Sequence, residues 1–257
     1  MSIVDKIVEK LPDIYEDGLK EAVQESGKTI ALVPKTINAA LSPLRQWIAR
    51  HEYNVKETEK LLAQKLENVG IENIVSPDPY VAVPAFQAIS YSMNSEELRN
   101  LYANLLTASM INDIKWKVHP SFVEIIKQLS PDEAKMLNVF KINESDSYPL
   151  IDVVIEDFDG YRVVLNDFTN IFDSTCEYPE HTTYYLDNLE RLKIIKISNV
   201  NECLTEEELY IPLETSVKIQ KLISQDLPEG NRWEIKRKYF QLTQYGKNFI
   251  EICVIND

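Results

Sequence analysis

Hydrophobic residues recur at every third or fourth position through much of the first half of the chain, a spacing that predicts amphipathic helices. The clearest helix covers residues 52–69 and is followed by Gly70, a residue that favours helix ends. Its apolar face consists of Val55, Leu62, Leu66 and Val69. Residues 3–25 have the same spacing, interrupted by Pro12, which should kink or end that helix.

Capping residues predict one helix start with particular clarity. Ser130 can act as the N-cap, Pro131 suits the first helical position, and Glu133 completes a capping box. A helix is therefore expected over residues 131–141.

Other helix starts are marked by similar signals. Asn94 and Glu97 form a capping pair before an apolar stripe over residues 95–112. Pro84 is expected to open a short helix, and residues 120–129 are expected to form another.

After residue 143 the pattern changes to the runs of β-branched and aromatic residues that are typical of strands. Residues 151–155 and 161–165 are two such runs joined through Asp159-Gly160, which predicts a hairpin. Strands are also expected over residues 194–197 and 233–241, and helices over residues 180–193, 213–225 and 243–253. The helix over 180–193 has Tyr184, Tyr185, Leu189 and Leu192 at helical spacing.

Composition supports a largely helical chain. Only 6 of the 257 residues are glycine, well below the usual share of about 7%, and this scarcity disfavours architectures that need many tight turns. The chain is therefore predicted to be mainly α and α+β overall. Its helical N-terminal domain is expected over residues 1–118, and a C-terminal domain with short β-hairpins over residues 119–257.

The charge of the chain limits the class of partner. The formal net charge is −14, and residues 119–257 hold 14 basic and 25 acidic residues, a net charge of −11. Nucleic-acid affinity comes largely from Lys and Arg side chains that displace counterions from phosphates. An anionic surface opposes such binding, so nucleic acid is not the expected partner.

Common catalytic and metal-binding motifs do not occur in the sequence. Cys176, Cys203 and Cys253 form no CxxC pair, and their wide spacing fits a reducing compartment, so a cytoplasmic protein is expected. His119 and His181 have no cysteine or carboxylate at ligand spacing and are expected at the surface or in an interface. No glycine-rich phosphate loop or nucleophile elbow is found. The prediction is a protein that is not an enzyme and that has no cofactor and no metal.

Residues 26–51 contain no acidic residue, in a chain that has 41. Apolar side chains step by three or four through this window, with Lys and Arg between them and a tryptophan near its end, as in segments that lie in a membrane interface. The candidate membrane- or partner-binding residues are Lys28, Ile30, Val33, Lys35, Ile37, Leu41, Leu44, Arg45, Trp47 and Ile48. The favoured alternative is packing in the core or against another subunit, with Pro34 and Pro43 dividing the window into short helices. Packing and membrane or partner binding are compatible if the segment is sheltered at rest and released by a trigger.

A dense basic run lies in the C-terminal half and contains Arg232, Lys236, Arg237 and Lys238. These residues are the candidate contacts in a weaker alternative, sequence-specific DNA binding. That alternative predicts an affinity that falls steeply with added salt.

An ordered series of motifs resembles the abortive infection alpha family. The motifs lie at residues 39–44, 77–79, 84–88, 96–106, 118–123 and 128–134. The resemblance covers roughly residues 15–255. It implies a bacterial protein of anti-phage defence, and it carries over no catalytic residues.

Residues 186–195 and 240–249 are similar to part of a winged-helix domain, in which a helix runs into a short strand and a hairpin strand returns to a Thr-x-x-Gly-x-x-Phe helix. Recognition helices that enter the major groove are usually basic. The helix over residues 180–193 instead has three acidic and two basic residues. The resemblance therefore implies a winged helix that is used for packing or protein contact.

The leading hypothesis is a phage-defence protein that acts by binding. Its C-terminal half would be a sensor or docking module, and the segment over residues 28–50 would disturb the membrane or a host target. We expect a protein partner or self-association, and a cytoplasmic protein that can sit peripherally at the inner face of the membrane. The alternative is a regulatory or adaptor protein that uses a winged helix for protein contact.

Overall fold

The computed structural model describes residues 36, 39–41, 60–89, 95–142, 146–200 and 202–255. The chain divides into two compact units. Unit 1 comprises Met1–Gln128 and Ile252–Asp257, and unit 2 comprises Leu129–Glu251. Helices occur in both, and a four-stranded antiparallel sheet lies in unit 2, so the predicted α+β class is confirmed.

The described part of unit 1 is helical. Its helices are α1 (Pro79–Ile89), α2 (Glu96–Ser109) and α3 (Ser121–Lys127), and residues 60–65 are helical as well. Residues 101–109 of α2 are all buried, so this helix runs through the core of the unit. The side-chain amide of Asn104, on α2, donates a hydrogen bond of 2.8 Å to the Cys253 carbonyl. This bond connects the C-terminal residues to the rest of unit 1.

The first helix of this unit starts earlier than the sequence predicts. Pro84 lies inside α1, which begins at Pro79. A proline in the first helical position lacks only an N–H that would have no helical partner, and its φ already suits a helix. The Asp78 carbonyl accepts hydrogen bonds from the amides of Val81 and Ala82, at 3.0 and 2.9 Å, and so completes the first turn.

The start of α2 is also one residue away from the prediction. Its N-cap is Ser95, whose Oγ accepts a hydrogen bond of 3.3 Å from the Leu98 amide. Ser95 also donates a hydrogen bond of 3.0 Å to Glu97. The helix ends at Ser109, three residues before the predicted end.

Unit 2 is built on a sheet in the order β2-β1-β4-β3, with neighbouring strands antiparallel. The strands are β1 (Ser147–Glu156), β2 (Tyr161–Phe168), β3 (Ile195–Ile197) and β4 (Arg232–Leu242). The helices are α4 (Pro131–Ile142), α5 (Thr182–Arg191), α6 (Ile211–Glu214), α7 (Val217–Ile223) and α8 (Gln244–Cys253). The last two residues of α8 belong to unit 1.

Local signals in the sequence account for two features of unit 2. The capping box of α4 is confirmed, because the Glu133 amide donates to Ser130 Oγ at 3.2 Å and the Ser130 amide donates to Glu133 Oε2 at 2.6 Å. The predicted hairpin is confirmed as β1–β2. Its loop is stabilised by Asp157, whose carboxylate accepts hydrogen bonds from the amides of Asp159 and Gly160 at 2.8 and 3.1 Å.

The helix predicted over residues 213–225 is two helices. α6 ends at Glu214, and α7 begins after Ser216, whose hydroxyl accepts a hydrogen bond of 3.5 Å from the Ile219 amide. In a continuous helix this amide would bond to a backbone carbonyl. Because the Ser216 hydroxyl accepts its hydrogen bond instead, a new helix can begin here.

The Thr-x-x-Gly-x-x-Phe pattern has a packing explanation. Thr243 Oγ1 accepts a hydrogen bond of 2.8 Å from the Gly246 amide at the start of α8, as predicted for a cap. A Cβ at Gly246 would lie 2.0 Å from the Ile194 carbonyl oxygen, so the close approach requires glycine. Phe249, one turn later, is fully buried.

The two faces of the sheet differ in character. One face packs on α6 and α7 through Ile151, Val153, Phe168, Tyr210, Leu213 and Ile219. The other has an aromatic cluster of Phe140, Tyr148, Phe172 and Phe240, with ring centroids 5.1 to 6.3 Å apart. The strand β2 lies at one edge of the sheet.

Among the described residues, no helix is long and apolar enough to cross a membrane.

Candidate functional site

Nine of the ten candidate residues in the acid-free window lie outside the described residues. The tenth, Leu41, is helical and only 1% exposed. The neighbouring Ala40 carbonyl accepts a hydrogen bond of 2.9 Å from the Ser76 hydroxyl. Leu41 is therefore a core residue of unit 1, which at this position agrees with the packing interpretation. The roles of Lys28, Ile30, Val33, Lys35, Ile37, Leu44, Arg45, Trp47 and Ile48 stay predictions.

Three cations of the basic run, Arg232, Lys236 and Arg237, lie beside carboxylates. Their partners are Glu156, Glu234 and Glu214, at 2.8, 2.6 and 2.6 Å respectively. Hydrogen bonds to these carboxylates raise the pKa of each cation. Because most of their positive charge is compensated, these side chains are poorly placed to attract a phosphate backbone.

The fourth cation, Lys238, is only 7% exposed and is part of a buried ion cluster. Its ammonium donates to Asp167 at 2.6 Å and to Asp152 at 3.3 Å. Burial acts to lower the pKa of Lys238, but the hydrogen bonds and negative charges of Asp167 and Asp152 together outweigh it, and the net shift is upward. Asp167 has a positive φ of 50°, and its amide donates to the Asp152 carboxylate at 2.8 Å. Lys238 therefore links β4 to β1 and β2 in the interior of unit 2.

The capping segment of α4 also holds the chain that leads into α5. Asp132 is 4% exposed, and its carboxylate accepts hydrogen bonds from the amides of Glu177 and Tyr178, both at 2.9 Å. The Tyr185 hydroxyl and the Lys135 ammonium donate to the same carboxylate at 3.2 and 3.0 Å. Burial acts to raise the pKa of Asp132, but these hydrogen bonds and the charge of Lys135 lower it overall. Asp132 is thus a fixed anchor for α5.

Glu133 provides a second link between the same two helices. One of its carboxylate oxygens accepts a hydrogen bond from the Ser130 backbone amide. The other accepts a hydrogen bond of 2.6 Å from the side-chain amide of Asn188, near the end of α5. The capping box predicted from the sequence gave Glu133 no second partner, because Asn188 lies 55 residues further along the chain.

The anchored segment presents four aromatic side chains, which we call the α5 aromatic surface: Tyr178, His181, Tyr184 and Tyr185. The His181 ring lies at its centre, with centroid distances of 6.0, 5.8 and 6.2 Å to the three tyrosines in chain order. Tyr178 is 49% exposed and Tyr184 is 71% exposed. The surface location predicted for His181 agrees with its exposure.

Helical spacing was misleading for Tyr184. The buried side of α5 is formed by Leu186 and Leu189, whereas Tyr184 faces solvent. The signal that indicates an exposed cluster is the density of aromatic rings, since four of the eight residues over 178–185 are tyrosine or histidine. Tyrosine and histidine have apolar bodies and polar tips that suit partly wet interfaces.

A comparison with family models identifies the chain. The model described as abortive infection alpha matches residues 50–253, which is most of the sequence. The chain belongs to the abortive infection alpha family. This confirms the resemblance seen in the ordered motifs, and membership indicates a role in abortive infection, a form of anti-phage defence. Comparison with curated proteins and with solved structures found no match.

The abortive infection alpha match covers some of the candidate residues and leaves others out. It includes the α5 aromatic surface, the Lys238 cluster and the Asp132 anchor. The acid-free window over residues 26–51 lies almost entirely before its first residue. Family membership therefore carries no information on the role of that window.

Within the described part of this family member, no three His, Cys, Asp or Glu side chains are grouped as a metal ion would require. Burial raises the pKa of Cys176 to about 11 and that of Cys253 well above its ordinary value, so neither thiol is activated as a nucleophile.

Proposed function

We propose that the protein is an anti-phage defence protein that acts by binding and not by catalysis. The segment over residues 28–50 is its effector and acts on a membrane or a host target, and unit 2 is its docking module. The protein is cytoplasmic, with peripheral association at the inner face of the membrane. The observation that carries the proposal is the family match over residues 50–253, which indicates defence.

The acid-free window supports an effector role for the segment. Each Lys or Arg near an anionic leaflet contributes about 1 kcal/mol to binding, and the window has four such residues. Apolar side chains that enter the interface add about 25 cal/mol per Å² of buried surface. Both contributions favour an anionic lipid surface over a neutral one.

The arrangement of unit 2 supports a winged-helix-like docking role. The strand order β1-β4-β3 is antiparallel, α5 precedes β3, and α8 follows β4. The compensated charges of Arg232, Lys236 and Arg237 favour a protein partner over nucleic acid. An exposed aromatic surface on α5 is consistent with contact to a protein.

Liposome flotation tests the effector role. We expect the full chain to float with vesicles of phosphatidylglycerol and phosphatidylcholine, and to stay unbound with phosphatidylcholine alone. The double variant Ile37→Glu/Trp47→Glu should lose flotation, because it places two carboxylates in the apolar stripe. Leu41 is left unchanged, since it is buried and its replacement would disturb unit 1.

A matched control introduces the same charge elsewhere. Phe158→Glu also replaces an aromatic side chain with a carboxylate, at an exposed position in the loop of the β1–β2 hairpin, and should float like the wild type. Circular dichroism confirms that each variant is folded. Equal flotation of the wild type with both lipid mixtures, or none with either, would exclude the lipid-directed effector.

The second candidate function is a regulatory or adaptor protein in which a winged helix binds a protein partner and the N-terminal helices dimerise. The burial of Leu41 and the hydrogen bond from Ser76 to Ala40 support packing of the segment at that position. It predicts no flotation with either lipid mixture.

A further inference from the structure

We propose that the α5 aromatic surface binds a cationic segment of a partner protein, through arginine or lysine side chains that lie on the rings of Tyr178 and Tyr184. The proposal deepens the docking role assigned to unit 2, since it names the chemistry of the partner. The proposal rests on that role only for its link to defence. Binding of a cationic segment can be measured on the purified protein whether or not the role in defence is correct.

The rings of this surface are open to solvent. Tyr178 and Tyr184 are 49% and 71% exposed, and the His181 ring between them makes the surface continuous. The faces of tyrosine rings carry partial negative charge and attract the cations of Arg and Lys. A guanidinium can also stack flat on such a ring, which makes arginine the better ligand.

The chain on either side of these rings is negatively charged. Between Arg162 and Arg191 the chain contains no lysine and no arginine. The same stretch holds six acidic residues. Asp167 is buried against Lys238, and the other five are Asp173, Glu177, Glu180, Asp187 and Glu190. This stretch is the charge complement of a lysine- or arginine-rich partner, so complementarity favours such a partner.

Two of these carboxylates flank the rings directly. Glu177 and Glu180 are exposed and adjacent in sequence to Tyr178 and His181. The neighbouring Glu177 carboxylate raises the pKa of the Tyr178 hydroxyl. The N-terminus of α5 carries a partial positive charge of about half a unit, which opposes a cation. The two full negative charges outweigh it.

Hydrogen bonds to buried carboxylates hold this surface in place. The Asp132 carboxylate holds the amides of Glu177 and Tyr178 and the hydroxyl of Tyr185, and Glu133 holds Asn188. A surface that is already ordered loses little conformational entropy when a ligand binds, so modest contacts suffice.

The same charge pattern disfavours other occupants. Anionic lipid surfaces and nucleic acids carry phosphates, which the carboxylates repel. A second copy of unit 2 would bring acidic residues against acidic residues, because residues 129–251 share this negative charge. A cationic polypeptide segment is the occupant that fits both the rings and the charges.

Fluorescence anisotropy with the full-length protein tests the proposal. The probe is a fluorescein-labelled peptide in which four arginines alternate with glycine and serine, and the comparison peptide has glutamate in place of arginine. We expect saturable binding of the arginine peptide and none of the glutamate peptide.

Variants locate the binding on the rings. Tyr178→Ala/Tyr184→Ala should weaken binding of the arginine peptide about tenfold, as expected for two cation–π contacts. Phe158→Ala removes a side chain that is 97% exposed elsewhere in unit 2 and should leave the affinity unchanged. Glu180→Lys should weaken binding more than Glu208→Lys, which makes the same charge change at another exposed glutamate.

Several results would overturn the proposal. These are absence of saturable binding, equal affinity for both peptides, and equal loss in the tyrosine double variant and in Phe158→Ala. Loss of flotation with anionic vesicles in the tyrosine double variant would assign the surface to membranes instead. Failure of peptide binding with flotation retained would remove this inference and leave the proposed function standing.

Discussion

Lys238→Met is expected to destabilise unit 2 by about 3–5 kcal/mol, the usual consequence of removing one partner from a buried ion cluster. The lysine is the cation that the structure places between Asp152 and Asp167, and these aspartates are themselves only 3% and 7% exposed. Without it, two carboxylates would remain in the interior near one another. Urea unfolding followed by circular dichroism measures the change in the free energy of unfolding.

Two further variants make this prediction specific. Lys236→Met, two residues away on β4, removes a more exposed lysine that pairs with Glu234, and it should cost no more than about 1 kcal/mol. Adding Asp152→Asn and Asp167→Asn to Lys238→Met should restore much of the stability, since no charge is then left buried. The side-chain amide oxygen that Asp152→Asn introduces can still accept the hydrogen bond from the backbone amide of residue 167.

The opposite pattern would show that Lys238 has a different role. If Lys238→Met is as stable as the wild type, the buried cluster contributes nothing to folding. If the two asparagine substitutions lower stability further, the carboxylates do more than balance the lysine charge.

Asp132→Ala is expected to destabilise unit 2 by about 3 kcal/mol, because the amides of Glu177 and Tyr178 would lose a buried acceptor. The loss depends on pH in a definite direction. Folding lowers the pKa of Asp132 below its ordinary value of 3.8. A carboxyl with a lowered pKa stabilises the fold fully above about pH 5, and the stabilisation is lost as the pH falls through the folded-state value.

Urea unfolding of the wild type and the variant at pH 7 and pH 3 measures this dependence. The difference between the two proteins should be larger at pH 7. Asp226→Ala removes an exposed aspartate in the same unit and should change the free energy of unfolding by less than about 0.5 kcal/mol at either pH. A difference that grows towards pH 3 would contradict the role assigned to the Asp132 carboxylate.

Features that depend on neighbouring residues are predicted well from this sequence. The Ser130–Glu133 capping box and the β1–β2 hairpin involve groups within a few residues of one another, and both are confirmed. The starts of α1 and α2, predicted at Pro84 and after Asn94, are wrong for an equally local reason. In each case an adjacent or nearby residue, Pro79 or Ser95, satisfies the same requirement of the helix start.

Features that depend on distant residues could not be predicted. The backbone amides that Asp132 holds lie 45 and 46 residues away, and the lysine that balances Asp152 is 86 residues away. The sequence shows how many charged residues a segment has but not which of them form ion pairs. The basic run of β4 therefore looked like a cationic surface. Helical spacing grouped Tyr184 with Leu189, whereas the fold buries Leu186 and Leu189 and leaves the tyrosine exposed.

A phage-challenge assay tests the central claim, defence by binding through the segment over residues 28–50, most directly. Growth arrest and membrane integrity would be followed after infection in cells that express the wild type, Ile37→Glu/Trp47→Glu or Phe158→Glu at equal levels. We expect arrest with the wild type and Phe158→Glu, and none with the double variant. Unchanged arrest in a folded double variant would contradict the account.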